Sequence, residues 1–269
     1  LEINGNLKLD FKLNKDHINN FIKEDNLKIF NNIEANGSLS NKFVISFDDT
    51  LKISNYDFNF TGNVKNSRMN FESSQNYIFI QNDIRALDLE KVDFKVNLNN
   101  SNKNKIDISG LYKINKNTFR KFNFSNKFKK DSNELALLAE YNNGINIPVL
   151  NYSSGKKVVN IETDIKLKGK KIHLKKFSLK EGKTKISVNN LIINDKKLKK
   201  FDRISVKTIN EDLINNDFII NFKKKIEIKG LKYDANNLIK LLSAENNSSF
   251  FNNISKEVSV NLDEIKTSD

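Results

Sequence analysis

The sequence predicts a mainly β protein built on a largely antiparallel sheet, and three observations predict it. Apolar residues recur at every second position over most of the chain. The breaks between these runs are short and carry Asn, Gly and Ser. Only two stretches space their apolar residues as a helix does.

The chain has 269 residues, enough to bury a core. Hydrophobic residues make up 38% of it, below the roughly 45–50% of ordinary globular domains. A thin fold with much surface per residue is therefore expected. Twenty phenylalanines and a steady supply of Ile, Leu and Val argue against disorder.

The first alternating run is Leu7, Leu9, Phe11 and Leu13, with Lys8, Asp10 and Lys12 between them. Phe43, Ile45 and Phe47 repeat the device, as do Val92, Phe94, Val96 and Leu98, and then Ile106 and Ile108. Later come Ile161, Ile165 and Leu167, then Ile186 and Val188, then Leu191 and Ile193. Phe218, Ile220 and Phe222 follow, and Ile226 and Ile228 after them. Successive side chains of a strand point to opposite sides, so each run makes one apolar and one polar face.

Asn4-Gly5, Asn36-Gly37 and Asn143-Gly144 suit tight hairpins, because Asn and Gly tolerate positive φ. Asn4-Gly5 interrupts an otherwise continuous run, so a bulge is its alternative reading. Ser153-Ser154-Gly155 and Lys180-Glu181-Gly182 also read as turns. Parallel pairing would need a crossover helix between most strands, and the connections are too short for that.

The two helical stretches are Asp16 to Phe30, with Ile18, Phe21 and Ile22, and Asp234 to Ser243, with Leu238, Leu241 and Leu242. Each begins near an Asp able to cap a helix N-terminus. Each also follows a strand, which reads as a weak structural repeat. Residues 1–245 form this repeating segment, with a loose sub-boundary near 126–134. Residues 246–269 add a polar loop, Asn246 to Asn253, and a further strand begun by Val258, Val260 and Leu262. The chain starts at Leu1 within an alternating run and without an initiator Met. It is expected to be a piece of a longer protein, with any signal or anchor outside it.

Catalytic chemistry is not expected. There is no cysteine, which excludes disulfides, zinc–thiolate sites and cysteine nucleophiles. His17 and His173 are the two histidines, and both read as solvated surface residues without metal-ligand spacing. Gly182-Lys183-Thr184 looks like the tail of a phosphate-binding loop. Phe177 stands where that motif needs a glycine, and the stretch lies between two strands, so it reads as a hairpin turn. Carboxylates are scattered over polar strand positions, and nothing selects an acid–base pair. No enzyme activity, cofactor or metal is expected.

The net charge of +13 points toward nucleic acid or an anionic membrane. Coding rich in A and T yields the same excess of Lys, Asn and Ile. Lys and Phe alternate along the strands and so face opposite sides. That arrangement gives no stacking platform for single-stranded nucleic acid, which is not expected as a partner. No apolar run approaches the roughly 20 residues of a membrane helix, and no signal peptide is visible.

The stretch from Gly169 to Leu242 is the most specific. Its strand Asn216-Asp217-Phe218-Ile219-Ile220-Asn221-Phe222 precedes Ile226-Glu227-Ile228-Lys229-Gly230-Leu231-Lys232-Tyr233-Asp234-Ala235 and a short Leu/Ile helix. A strand closing in Lys-Gly-x-x-Tyr-Asp-Ala before such a helix resembles the AsmA-like family. The likeness is greatest to its large YhdP-type envelope proteins, whose repeats pass from strand to helix through a Gly…Asp-Ala turn. The first helix lacks the glycine before Asp16, so the repeat is not strict.

The resemblance implies an elongated, curled sheet forming an apolar groove, in the periplasmic portion of a Gram-negative protein anchored elsewhere in the inner membrane. It implies phospholipid acyl chains as the partner and transfer between inner and outer membrane as the role. The lipid-groove candidates are then Leu7, Leu9, Phe11, Phe43, Ile45, Phe47, Val92, Phe94, Val96, Ile106, Ile108, Ile165, Leu167, Ile186, Val188, Phe218, Ile220, Phe222, Ile226 and Ile228. One-faced sheets must otherwise pair as a sandwich or close as a barrel. The alternative is thus a dry core formed by the same residues, in an all-β structural or adhesion module of the envelope that binds a protein.

Overall fold

A computed structural model describes residues 1–19, 28–75, 79–100, 104–195, 197–238 and 256–267. The protein is mainly β, a large and mostly antiparallel open sheet of 15 strands, not closed into a barrel. The chain parts into two compact units. Unit 1 comprises Leu1–Tyr77 and Asn82–Ala139, and unit 2 comprises Ile78–Gln81 and Glu140–Asp269. The 126–134 stretch is a tight hairpin between two strands, and the division between the units falls later, after Ala139.

Unit 1 is an antiparallel meander of β1 (Glu2–Asn14), β2 (Phe30–Phe47), β3 (Ile53–Gln75), β4 (Ile84–Asn99), β5 (Asn104–Ile114), β6 (Arg120–Lys129) and β7 (Ser132–Tyr141), each paired with the next. The alternating runs fall inside these strands as expected.

Two Asn-Gly pairs are not turns. Gly5 pairs with Phe43 in an unbroken register, so Asn4-Gly5 is neither hairpin nor bulge. The Phe43 ring lies over Gly5 in the space a Cβ would fill. Gly37 sits within β2, where the register with β3 shifts between Asn36 and Gly37. There the Asn63 carbonyl comes too close to Gly37 for any side chain. Glycine serves close approach at both positions, a requirement that the Asn-Gly turn signal does not distinguish.

The first helix is α1 (Lys15–Asn19). Its cap is Asn14 rather than Asp16. Asn14 Oδ1 accepts from the His17 N–H at 3.0 Å, and the Asn14 N–H donates to His17 Nδ1 at 3.3 Å. The expected helix does not reach Phe30, which is the first residue of β2 and pairs with Phe71, the two rings lying tilted with centres 5.1 Å apart. Residues 20–27 lie outside the described residues.

Unit 2 continues with β8 (Asn146–Ile147), a 3-10 turn Pro148–Leu150 and β9 (Tyr152–Ser153), which pair as a small hairpin. The main strands follow: β10 (Val159–Lys168), β11 (Lys171–Glu181), β12 (Thr184–Asn194), β13 (Lys197–Lys200), β14 (Arg203–Asn210), β15 (Leu213–Phe222), β16 (Ile226–Asp234) and β17 (Val258–Lys266). Their order is β10-β11-β12-β14-β15-β16-β17, with β13 folded back on the end of β12. Gly182 takes a φ of +54° in the two-residue turn between β11 and β12, so Gly182-Lys183-Thr184 is a hairpin. Gly144 and Gly155 also adopt positive φ, as their turns require.

The strand expected from Val258 is present, and it pairs with β16 in parallel. Such a pair needs a long crossover, and residues 235–257 supply it. Asp234 ends β16, and its Oδ1 accepts from the Asn236 N–H at 3.2 Å, which caps the next turn. The rest of the second expected helix, from residue 239 on, and the Asn246 to Asn253 loop lie outside the described residues.

Candidate functional site

In unit 1 the register converts alternation into a continuous apolar face. Leu9, Leu39, Gly62, Phe94, Ile108, Phe124 and Leu137 form one row across all seven strands. The next row is Leu7, Asn41, Phe60, Val96, Ile106, Asn126 and Leu135. Phe43 and Ile45 lie opposite Phe58 and Tyr56, Phe47 lies opposite Ile53, and Phe11 shares a row with Gly37, Val64 and Val92. All eleven groove candidates of this unit therefore share one face.

That face is open along much of its length. Leu7 is 51% exposed and Leu9 37% exposed. Phe43, Phe58, Phe60, Phe94, Val96, Ile106, Ile108 and Phe124 are half-buried. Val92, at 3%, is the buried candidate of the unit. A second packed layer would have removed the exposure of the others. The rings cover one another instead. Phe43 and Phe58 lie 5.9 Å apart, Phe58 and Phe60 6.1 Å apart with planes at 12°. Such offset stacks add to the simple burial of area.

The opposite face is polar. Lys8, Ser40, Thr61, Lys95, Asp107, Ser125 and Ala136 form the row between the two apolar ones. Side-chain ladders hold it, such as Asn63 Nδ2 donating to Asp93 at 2.8 Å and Lys113 meeting Asp88 at 2.9 Å. Two shallow depressions of about 530 and 350 Å³ lie on this side, floored by small residues such as Ser38, Ser40 and Gly62 in the first. Polar groups also sit on the apolar face, Ser67 and Arg120 in the row through Leu89 and Tyr112 among them. Asn41 and Asn126 are buried in the Leu7 row, each with an Oδ1 that meets no hydrogen-bond donor.

Unit 2 has the same construction. One row is Ile161, Leu179, Ile186, Val206, Phe218, Gly230 and Leu262, and the next is Thr163, Phe177, Val188, Ile204, Ile220, Ile228 and Val260. Ile165 lies opposite Leu174, Leu167 opposite Ile172, and Phe222 opposite Ile226, so the nine candidates here share one face too. A bulge at Lys175 and Asn190 keeps Leu191 and Ile193 on that face, with Asn190 at a φ of +53°. His173 is half-buried rather than fully solvated, with Nε2 3.3 Å from Asn190 Oδ1.

Burial is deeper in unit 2. Leu179, Ile186, Val206 and Phe218 are each 7% exposed or less. The cause is a cap that the sequence reading did not single out, formed by residues 145–154 over one set of strand ends. Tyr152 is 1% exposed and donates to Glu181 Oε2 at 2.8 Å. Asn216, fully buried, donates to the Leu150 carbonyl and to Thr208 Oγ1, both at 2.7 Å, and accepts from the Asp234 N–H at 2.9 Å. Asn151, in the left-handed conformation, donates to Asp234 Oδ2 at 2.9 Å. Burial and the Glu181 carboxylate push the Tyr152 phenol well above its usual range, so it stays a donor. Burial, with the Asp234 charge, raises Tyr233 as well.

Among the described residues no group of His, Cys, Asp and Glu could hold a metal ion, and no helix is long and apolar enough to cross a membrane. Compared with protein-family models, curated proteins and solved structures, the chain matches none.

Proposed function

We propose that this chain is a segment of a periplasm-spanning lipid-transfer protein of the AsmA-like type, whose apolar sheet face carries phospholipid acyl chains between inner and outer membrane. One observation supports this reading above the others. The Leu9–Leu137 row crosses every strand of unit 1 without a charged residue, and Leu9 at its edge remains 37% exposed. The Lys-Gly-x-x-Tyr-Asp-Ala strand end at 229–235 carries the family resemblance.

The physical rationale is a barrier. Moving hydrocarbon into water costs about 0.8 kcal/mol per methylene, so a two-chain phospholipid faces on the order of 20 kcal/mol or more on an aqueous route. An uninterrupted apolar surface lowers that barrier without chemistry. The lipid slides, its headgroup stays in solvent, and direction is set elsewhere in the protein.

The buried row of unit 2, closed by its cap, favours a second reading. In that reading unit 2 is a dry all-β module of the envelope that binds a protein partner. Native mass spectrometry of the purified chain distinguishes the two. Bound phospholipid supports transfer. A lipid-free mass after exposure to phospholipid vesicles counts against it.

A further inference from the structure

The two edges of the unit 2 sheet, where its strands turn, differ in charge. One edge carries the β10–β11 turn, the β12–β14 connection with β13, and the β15–β16 turn. The first turn places Lys170 and Lys171 in solvent. The connection exposes Lys197, Lys199 and Lys200, and the last turn exposes Lys223 and Lys224. The carboxylates on this edge are largely engaged. Lys170 holds Asp195 at 3.1 Å, Lys223 and Lys229 flank Glu227, and Asp202 accepts from Asn190 Nδ2 at 2.6 Å. Among the described residues no carboxylate pairs with Lys199, Lys200 or Lys224.

The opposite edge is mixed at its turns, with the exposed Lys156, Lys157, Lys180 and Lys183 beside its carboxylates. Glu181 begins the β11–β12 turn, Glu211 and Asp212 form the β14–β15 turn, and Asp234 ends β16. Lysine stands on both edges, and the contrast is that the first edge has the larger excess of lysine over carboxylate.

At the basic edge the apolar face ends on two rings. Phe201 and Phe222 lie 5.1 Å apart, and the Lys256 ammonium sits 4.2 Å from the centre of the Phe222 ring. Phe201 is buried and Phe222 carries that ammonium, so neither offers a free face for a nucleic-acid base. Cations along the border of an apolar surface match an amphiphile with an anionic end. We propose that this edge docks unit 2 on the phosphate headgroups of anionic phospholipid. The inference deepens the lipid-transfer reading, and its test reads docking separately from lipid uptake.

Each lysine held near an anionic leaflet strengthens binding about five-fold. The experiment uses the full chain with vesicles of phosphatidylcholine alone and of phosphatidylcholine mixed with phosphatidylglycerol, followed by co-sedimentation at low and physiological salt. The edge variant combines Lys199→Glu, Lys200→Glu and Lys224→Glu. The control combines Lys156→Glu, Lys180→Glu and Lys183→Glu near the opposite edge, with the same change in net charge. Thermal unfolding of both verifies that they fold.

The expected result is a preference for the mixed vesicles that the edge variant loses by at least about ten-fold and the control keeps within about three-fold. Equal weakening of the two variants would reduce the effect to net charge and overturn the proposal, as would equal binding of the parent to both vesicles. Displacement by inorganic phosphate beyond that by chloride at matched ionic strength would assign the edge to free phosphate instead. Tighter binding to a single-stranded oligonucleotide, lost in the edge variant, would assign it to nucleic acid. Phospholipid retained in native mass spectra while docking fails would overturn this inference and leave the transfer reading standing.

Discussion

Asn216 donates a 2.7 Å hydrogen bond to the carbonyl of Leu150, 66 residues earlier in the chain, and no part of its side chain meets solvent. The same side chain satisfies the Asp234 N–H and reaches Thr208. Asn216→Leu keeps the branched outline of the side chain and removes all three bonds. A buried group left without its partner costs about 1–3 kcal/mol, and the Leu150 carbonyl retains only the longer 3.3 Å bond from Asn215. The expected loss is on the order of 3 kcal/mol in chemical unfolding of unit 2. Amide exchange at Asp234 should quicken with it. A variant as stable as the parent would mean that the cap does not hold the sheet end.

Gly5 and Gly37 lie on neighbouring strands of unit 1, and both leave room for another group. At Gly5 that group is the Phe43 ring, the free end of a side chain that can turn aside. At Gly37 it is the Asn63 carbonyl, fixed by the β2–β3 register. Gly37→Ala should therefore cost on the order of 2–3 kcal/mol and Gly5→Ala less than about 1. The comparison is made by urea unfolding of each. Equal losses would show that the Phe43 stack with Phe58 is as rigid as backbone.

Much of this fold was legible because alternation reports directly on strand faces. Alternation puts Leu7, Phe94 and Ile108 on the apolar faces of their strands, and the register joins those faces into one. Asn36-Gly37 reads as a turn in sequence because glycine after Asn serves positive φ and close approach equally well. The helix cap was displaced from Asn14 to Asp16 because either residue type can cap, and only backbone geometry distinguishes them. The cap of unit 2 was invisible for a different reason. Tyr152, Thr208 and Asn216 are ordinary polar strand residues in sequence, and their roles come from partners far along the chain. The charge contrast between the edges was likewise hidden. It emerges only when topology gathers turns separated by dozens of residues.

Tyr152 makes the stability of unit 2 sensitive to alkaline pH. Burial, and then the hydrogen bond to Glu181, raise its pKa above the unfolded value of about 10. The folded state thus binds a proton that the unfolded state releases. The stabilisation is complete below pH 10 and is lost as pH rises from there toward the folded pKa. Tyr152→Phe removes this proton linkage. The parent's melting temperature should fall more steeply than the variant's between about pH 9.5 and 11. Parallel slopes for the two proteins would mean that the phenol is not held protonated by the fold.

Ile220 decides between an open lipid path and a dry core. It sits half-buried between Ile204 and Ile228 in the second apolar row of unit 2, while Ile219 points to the polar side between Ser205 and Lys229. An ionised carboxylate is costly in hydrocarbon. If the row faces a lipid path, Asp at position 220 reaches water whenever the path is empty. Ile220→Asp should then fold, with a loss of about 1–2 kcal/mol, and carry no phospholipid. If the row is the core of a dry module, the same carboxylate is buried without a partner and costs about 3–5 kcal/mol. Ile219→Asp, beside Lys229, should fold and retain lipid in either case where the parent holds it. Thermal unfolding and native mass spectrometry of the three proteins give the answer. A folded Ile220→Asp stripped of lipid supports transfer along this face. An Ile220→Asp that unfolds, from a parent that never carried lipid, shows that the row is an ordinary core and that the chain acts on something other than lipid.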